Sequence, residues 1–149
     1  VLRDISPLLI DEGFLGFENE QFVNSGQVMA AVPHQPVVQA MIEEYKKLHF
    51  TNADGSLNAV GCPHLNTDVM ERFGLVRNGR EQMVAGIHVY PADYFNPLDS
   101  VTGKLSKTEN TYSIHWYSMS WLPKHIRLRS KIVRFCKRTL GRDIFIWKK

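Results

Sequence analysis

Cysteine is scarce in this sequence, which has only Cys62 and Cys136 among its 149 residues. Two cysteines so far apart cannot form the dense disulfide framework of a small secreted domain, so we expect two free thiols in a cytoplasmic protein. Cys62 and His64 are close enough to begin a zinc site, but no second closely spaced pair of ligands accompanies them. Structural zinc normally takes four ligands, so the sequence argues against such a site.

Long apolar runs are also missing. No stretch approaches the roughly 20 apolar residues of a membrane-spanning helix, and residues 1–11 lack the basic and apolar regions of a signal peptide. The sequence begins with Val, so we expect a piece of a longer protein. With 44% hydrophobic and 22% charged residues, the chain can bury the core of one globular domain.

Acidic residues are almost absent from the C-terminal segment. Residues 124–149 contain ten Lys and Arg and one acid, Asp143, which gives a net charge of +9, whereas the rest of the chain has a net charge of −6. Basic residues recur there at helical spacing, and apolar ones form another side at positions 122, 126, 133, 136 and 140. The pattern predicts a basic amphipathic helix that ends at Gly141.

Two interpretations of this basic helix remain open. The basic residues between Lys124 and Arg138 suit an anionic membrane surface, with the apolar residues 145–147 as an anchor. Alternatively, the helix packs on the domain and its basic face is solvated. Nucleic acid is not an expected partner, because the rest of the chain offers no basic surface with interleaved aromatics. We therefore divide the chain into a domain over 1–123 and a basic tail over 124–149.

The remaining sequence alternates predicted strands and helices. Apolar residues at helical spacing predict helices over 35–50 and 63–73, with Pro36 near the start of the first and Gly74 after the second. Short apolar stretches predict strands over 8–10, 13–17, 27–32, 87–90 and 111–117. This alternation indicates an α/β fold.

Two clusters of polar residues lie at the ends of these predicted elements, one after a strand and one at the start of a helix. Residues 18–26 come directly after a predicted strand, where Asn24 and Ser25 can bind sugar hydroxyls or phosphate oxygens, although an ordinary hairpin loop has a similar composition. Residues 61–68 place polar side chains, up to Asp68, in the first turn of a predicted helix. Helix capping is the simpler interpretation of that second cluster.

A third cluster occupies residues 115–121. His115 can bind a divalent metal, Ser118 and Ser120 can bind phosphate, and the indole of Trp121 is an N–H donor. A single histidine on a strand is more often structural. The density of polar and aromatic groups is what favours a binding site here.

Short motifs occur in a fixed order along the chain. They occupy residues 14–18, 22–26, 33–36, 89–95, 102–104, 109–118 and 120–121. The most specific part is Tyr-Pro, then Thr-Gly-Lys, then His-x-Tyr-x-x-Ser-Trp. This succession resembles the later half of the DXD-containing sugar glycosyltransferases, a family with capsular-polysaccharide sugar transferases and fungal mannosyltransferases, and the resemblance covers nearly all of residues 7–123.

The resemblance implies a GT-A fold, a Rossmann-like α/β sheet whose first half binds the nucleotide and ends in an Asp-x-Asp metal motif. That motif is absent here, so the expectation is the C-terminal part of a GT-A domain, inactive by itself. The implied complete enzyme is a retaining, Mn²⁺- or Mg²⁺-dependent transferase. It moves a hexose from a nucleoside-diphosphate sugar to a glycan or lipid-linked acceptor in surface or capsular polysaccharide synthesis, at the cytoplasmic face of the cell membrane.

The same resemblance implies roles for five residues. His115 matches the family's late metal ligand, and Ser120 and Trp121 match a serine-tryptophan pair near the diphosphate. Asn24 matches an asparagine of the donor sugar site. Asp68 lies near the position at which related GT-A enzymes carry a polar group that faces the donor sugar, and the resemblance therefore makes it the candidate catalytic residue. The alternative is a non-catalytic remnant that binds carbohydrate or docks on membranes.

Overall fold

The computed structural model describes residues 1–58, 60–120 and 122–140. These residues form a mixed, open sheet of four strands, in the order β2-β1-β4-β3. The strands are β1 (Gly13–Gly16), β2 (Met29–Ala31), β3 (Gln82–Val84) and β4 (Ile87–Tyr90). β1 and β4 run parallel at the centre, while β2 and β3 are antiparallel to their neighbours at the two edges. The predicted α/β class is confirmed.

Four α-helices accompany the sheet in the described part of the chain: α1 (Pro36–Lys46), α2 (Cys62–Arg72), α3 (Ala92–Phe95) and α4 (Lys124–Leu140). The sequence predicted α1, α2 and α4 with small errors at their ends. It did not predict α3, which is a single turn after Pro91, or the three-residue strand β3.

Two predicted strands are wrong. Residues 8–10 belong to a 3-10 helix (Ser6–Leu8) and the turn after it, because Pro7 fixes a helical φ near the start. Residues 111–117 alternate in polarity but pair with no strand. The N–H groups of Tyr112 and Ser113 instead donate to the Tyr94 carbonyl, at 2.7 and 3.2 Å. The segment is thus held along α3.

Both faces of the sheet are covered. On one face, Leu15 of β1 and Val89 of β4 belong to a buried cluster with α1 and α2, to which Val37 and Met70 contribute. On the other face, the side chains of Phe14, Tyr90, Phe95 and Tyr112 form a second buried cluster with Leu8. Because successive side chains of β1 and β4 point to opposite faces of the sheet, the two strands contribute to both buried clusters.

Gly16 allows α3 to lie directly against β1. A Cβ atom at this position would be 2.6 Å from the Phe95 ring, much closer than carbon atoms approach. The missing side chain therefore lets Phe95 cover the end of β1, and it brings the next residue, Asn96, to the edge of the sheet where β1 ends.

The basic helix α4 lies beside the loops over 100–103 and 116–119, with which it lines two clefts. Arg134 lies next to Gly103, where an added Cβ would be 3.7 Å from the Arg134 Cδ atom. Among the helices described, none combines the length and the apolar character needed to cross a membrane.

Candidate functional site

Polar side chains meet where the two central strands end. β1 leads through Phe17 into Glu18, and β4 leads through α3 into Asn96. Because β1 and β4 are parallel, their carboxyl ends lie at the same edge of the sheet. In open α/β sheets this edge is the usual place for ligand binding.

Glu18 is the centre of a hydrogen-bonded group that also contains Asn24, Asn96 and Tyr117. Together with His115, whose ring lies against that of Tyr117, we call this group the Glu18 cluster. Asn24 Nδ2 donates to one carboxylate oxygen of Glu18 at 3.0 Å, and the Tyr117 hydroxyl donates to the other at 3.0 Å. Asn96 Nδ2 donates to the Tyr117 hydroxyl at 2.6 Å and to the Glu18 carbonyl at 2.9 Å. These bonds fix the carboxylate in one position.

Tyr117 is held in a form that can donate. Burial, followed by the nearby charge of Glu18, raises the pKa of Tyr117 to about 12. The phenol therefore keeps its proton at neutral pH. Its backbone has φ of 48° and that of Met119 has φ of 46°, a left-handed conformation that is strained for residues other than glycine.

His115 lies against the ring of Tyr117, with 4.2 Å between the ring centres. Its Nδ1 atom is buried and has no hydrogen-bond partner. Burial lowers the pKa of His115, an effect that the charge of Glu18 partly opposes. The imidazole is therefore neutral at neutral pH, which is the form that binds a metal ion.

The side chain of Asn24 forms hydrogen bonds with other residues of the protein. It is buried, and its Oδ1 accepts from the Gly26 N–H at 2.7 Å and from the Cys62 thiol at 3.3 Å, while its Nδ2 holds Glu18. Both ends of the amide are thus in use. The structure brings the predicted residues Asn24 and His115 into one cluster, through Glu18 and Tyr117.

Helix α2 holds the loop that carries Asn24. Thr67 Oγ1 accepts from the Val23 N–H at 3.0 Å, and Asn66 Nδ2 donates to Ser25 Oγ at 2.6 Å. The capping interpretation of residues 66–68 is wrong because α2 begins at Cys62, which places these residues beyond the first turn.

Asp68 and Ser120 lie apart from the bonds that form the Glu18 cluster. Asp68 is exposed and forms an ion pair with Arg77, which also pairs with Glu71, both at 2.7 Å. Arg77 in turn lies over the ring of Phe22. Ser120 is exposed in the turn before α4. Trp121 lies outside the described residues.

Two clefts share Tyr117 as a wall. The first, of about 470 Å³, is polar, and Glu18, Asn96, Asp99 and Thr102 contribute to its lining. Carboxylates, amides and hydroxyls at the wall of a cleft can bind the hydroxyl groups of a sugar. We call it the polar cleft.

The second cleft, of about 440 Å³, is positively charged, and we call it the basic cleft. Its lining includes four cations and no acid, and its members are Trp116, Tyr117, Ser118, Met119, Lys124, Arg127, Leu128, Lys131 and Arg134. The Arg134 guanidinium lies 5.9 Å from the centre of the Tyr117 ring. The Glu18 cluster therefore borders a polar cleft and a basic one.

A metal ion would need ligands from elsewhere. In the part of the chain that the structure describes, no three His, Cys, Asp or Glu side chains gather closely enough to hold one. Among the described residues, His115 with its buried, unpartnered Nδ1 could supply one ligand.

Comparison with known proteins gives no relative: no family model, curated protein or solved structure matches this chain.

Sequence reasoning did not single out three residues of the cluster. Glu18 had a usable signal, since it directly follows a predicted strand, and Tyr117 lies within the His-x-Tyr motif. Asn96 had none, because its position depends on α3, which the sequence did not predict.

Proposed function

We propose that this chain is the C-terminal part of a metal-dependent GT-A glycosyltransferase that transfers a hexose from a nucleoside-diphosphate sugar to a glycan or lipid-linked acceptor. The observation that carries the proposal is the Glu18 cluster, which lies at the carboxyl ends of two central parallel strands and borders a polar cleft. The ordered sequence motifs that resemble the DXD-containing sugar glycosyltransferases support the same proposal. Surface or capsular polysaccharide synthesis at the cytoplasmic face of the membrane is the expected setting.

In this proposal the polar cleft takes the donor sugar. Glu18 and Asp99 accept hydrogen bonds from sugar hydroxyls, and Thr102 can donate or accept. Asn24 contributes by positioning Glu18. Because Asp68 is held by Arg77, we assign the main polar contacts of the sugar to Glu18 and keep Asp68 as a secondary candidate.

His115 provides one ligand for Mn²⁺ or Mg²⁺, and the remaining ligands come from an Asp-x-Asp motif outside this chain. When bound, such an ion stabilises the negative charge that develops on the departing diphosphate. The Ser120 hydroxyl and the Trp121 indole are proposed donors to the same diphosphate. Since the other ligands are absent, residues 1–149 alone are expected to transfer no sugar.

The test is a histidine substitution in the longer protein that contains the Asp-x-Asp half. His115→Ala should lower the rate of metal-dependent transfer by at least about 10-fold. It should also lower the affinity for Mn²⁺, measured by titrating activity with the metal, as expected when a ligand is lost. His88→Ala is a matched control, because His88 is also partly buried and stacked on a tyrosine ring but lies between Asp11 and Glu81. Unchanged turnover and metal titration in His115→Ala would assign His115 a structural role.

A non-catalytic carbohydrate-binding module is the second candidate. It is favoured by the polar cleft, where Glu18, Asp99 and Thr102 can bind sugar hydroxyls without a metal ion. Calorimetric titration of nucleotide sugars and of free oligosaccharides separates the two functions. Metal-independent binding of oligosaccharide that is lost in Glu18→Gln, without transfer by the longer protein, would support the module.

A further inference from the structure

Helix α4 carries an apolar stripe that faces away from the domain. Leu128, Ile132 and Phe135 recur at i, i+4 and i+7, so they share one side of the helix. Their exposed fractions are 60%, 49% and 58%. Val133, on another side, is partly buried and lines a cleft with Val101. The helix therefore has two apolar sides, one that meets the domain and one that is exposed to solvent.

Exposed cations border this stripe. Lys124, Lys131 and Arg138 follow one another at seven-residue intervals and lie along one edge of the stripe, and all three are exposed. No acidic residue occurs in α4. The outer face of α4, defined as the stripe together with these three cations, is thus an apolar strip beside a row of positive charge.

The basic cleft continues the same surface. Leu128 belongs both to the stripe and to the lining of the cleft, and Lys124 and Lys131 line it as well. Trp116 also lines the cleft and is 62% exposed. The Arg127 Nε atom is buried without a hydrogen-bond partner. Indole, exposed aliphatic side chains and cations therefore occur side by side.

We propose that the outer face of α4 docks on an anionic lipid bilayer. Leu128, Ile132 and Phe135 enter the boundary between headgroups and acyl chains, and the row of cations contacts lipid phosphates, as in interfacial amphipathic helices. The basic cleft is positioned to receive a headgroup phosphate. This proposal is independent of the proposed sugar transfer.

Charge favours the bilayer over a second copy of the chain as the occupant. Two copies joined through this face would place two rows of cations in or beside one interface, which has no acidic residue of α4 to offset them, and like charges oppose association. An anionic bilayer neutralises the same charges and covers the apolar stripe at once. Self-association through this face is accordingly one outcome that the test must detect.

The first experiment measures binding of the full chain to vesicles by sedimentation. Vesicles of phosphatidylcholine mixed with phosphatidylglycerol should bind it at least about 10-fold more strongly than phosphatidylcholine alone, and added NaCl should weaken the binding because salt screens the charges. No binding to the mixed vesicles, or equal binding to both kinds, would overturn the proposal.

The second experiment replaces the stripe. The triple variant Leu128→Ser, Ile132→Ser, Phe135→Ser should lose about 10-fold or more of the vesicle binding. The matched control Ile42→Ser, Phe50→Ser, Val76→Ser removes three other exposed apolar side chains away from α4 and should bind like the wild type. Circular dichroism verifies that both variants are folded, and wild-type binding by the α4 variant would contradict the proposal.

The third experiment separates this face from general attraction by charge. Lys124→Gln with Lys131→Gln should reduce binding about 10-fold, whereas Arg80→Gln with Lys107→Gln, an equal change in net charge elsewhere, should not. An equal loss in both pairs would overturn the proposal. So would a dimer in sedimentation velocity, without vesicles, that the stripe variant abolishes.

Discussion

Glu18 shows how single residues build the candidate site. Its two carboxylate oxygens are bound by Asn24 and Tyr117, and Asn96 holds both the tyrosine and the backbone of Glu18. Asn24 lies in the same loop as Glu18, but Tyr117 and Asn96 come from distant segments, so local propensity alone does not create the cluster. The carboxylate keeps further lone pairs for a ligand in the polar cleft.

Contacts between single residues are also what the sequence could not predict. Asn24 and His115 were predicted as parts of one site, and the structure links them. The link runs through Glu18 and Tyr117, and it depends on contacts that Tyr117 and Asn96 make with Glu18 across 99 and 78 positions of sequence. Hydrophobic periodicity describes neighbours within an element, so it carries no information about contacts of this range.

A prediction at this scale concerns Asp99, which lines the polar cleft. The Thr102 N–H holds the pKa of Asp99 below its usual value, and the Val101 N–H and the charge of Arg134 add to this. A lowered folded-state pKa gives stability that is present above the unfolded value of about 3.9 and is lost as pH falls through the folded one. Urea unfolding of Asp99→Asn should therefore show a smaller loss of stability between pH 5 and pH 2.5 than the wild type.

At pH 7 the Asp99→Asn variant should be less stable than the wild type by about the amount that Asp99 loses on protonation, because the amide oxygen can still accept from the two N–H groups at 2.8 and 2.6 Å but carries no charge. In acid, where Asp99 is protonated, the two proteins should have similar stability. An acid-dependent loss identical to that of the wild type would show that the Asp99 carboxylate does not stabilise the fold.

Helices and strands were predicted most accurately where the residues fit only one periodic pattern, either that of a helix or that of a strand. β4 occurs at residues 87–90 as predicted, and α1 begins at Pro36. The alternation over 111–117 predicted a strand that does not form, because the sheet has no partner there and the backbone binds α3 instead. Polarity alternation indicates which side chains are covered, but a strand also needs a neighbour with free hydrogen-bonding groups.

A prediction at the scale of elements concerns the start of α1. The buried Gln35 side chain accepts from the Val37 N–H at 2.7 Å and the Val38 N–H at 3.3 Å, and it donates to the Ala85 carbonyl at 2.6 Å. Gln35→Ala removes a helix cap and a tie to the β3–β4 turn. We expect a loss of about 1 to 3 kcal/mol in the free energy of unfolding, measured with urea.

Gln39→Ala is the matched control for the cap, because Gln39 is an exposed residue of the same helix. Alanine favours helix, so this change should leave stability within about 0.5 kcal/mol. Similar effects of the two substitutions would show that the Gln35 cap does not stabilise α1.

At the scale of the molecule, the chain divides by charge and by burial at the same place. Both buried clusters lie between Leu8 and Tyr112, and the positive charge lies from Lys124 onward. From composition alone, the sequence predicts a domain over 1–123 and a basic tail over 124–149, and this boundary stays a prediction. The sequence did not predict which side of α4 is exposed, because the helix has apolar residues on two sides and only the fold decides which of them meets the domain.

The corresponding prediction is a truncation. Residues 1–123 keep every member of both buried clusters, so their free energy of unfolding should fall by no more than about 2 kcal/mol relative to the full chain. A chain that ends at residue 110 also loses Tyr112 and Tyr117, and its cooperative unfolding should disappear. Loss of cooperative unfolding in residues 1–123 would show that α4 is part of the folding unit.

The parallel pairing of β1 with β4 has a kinetic consequence. β1 ends at Gly16 and β4 begins at Ile87, so the central pair of the sheet closes a long loop of chain, and folding that depends on such a closure is slow. At roughly 5 to 20 residues per second, the ribosome releases β1 several seconds before β4. Among the strands that the structure describes, β2 is then the one available to β1, and the edge that β4 will occupy stays open. A nascent chain with such an unpaired edge is vulnerable to aggregation, so yield in cells should rise when synthesis is cooled and chaperones that bind unfolded chains are abundant.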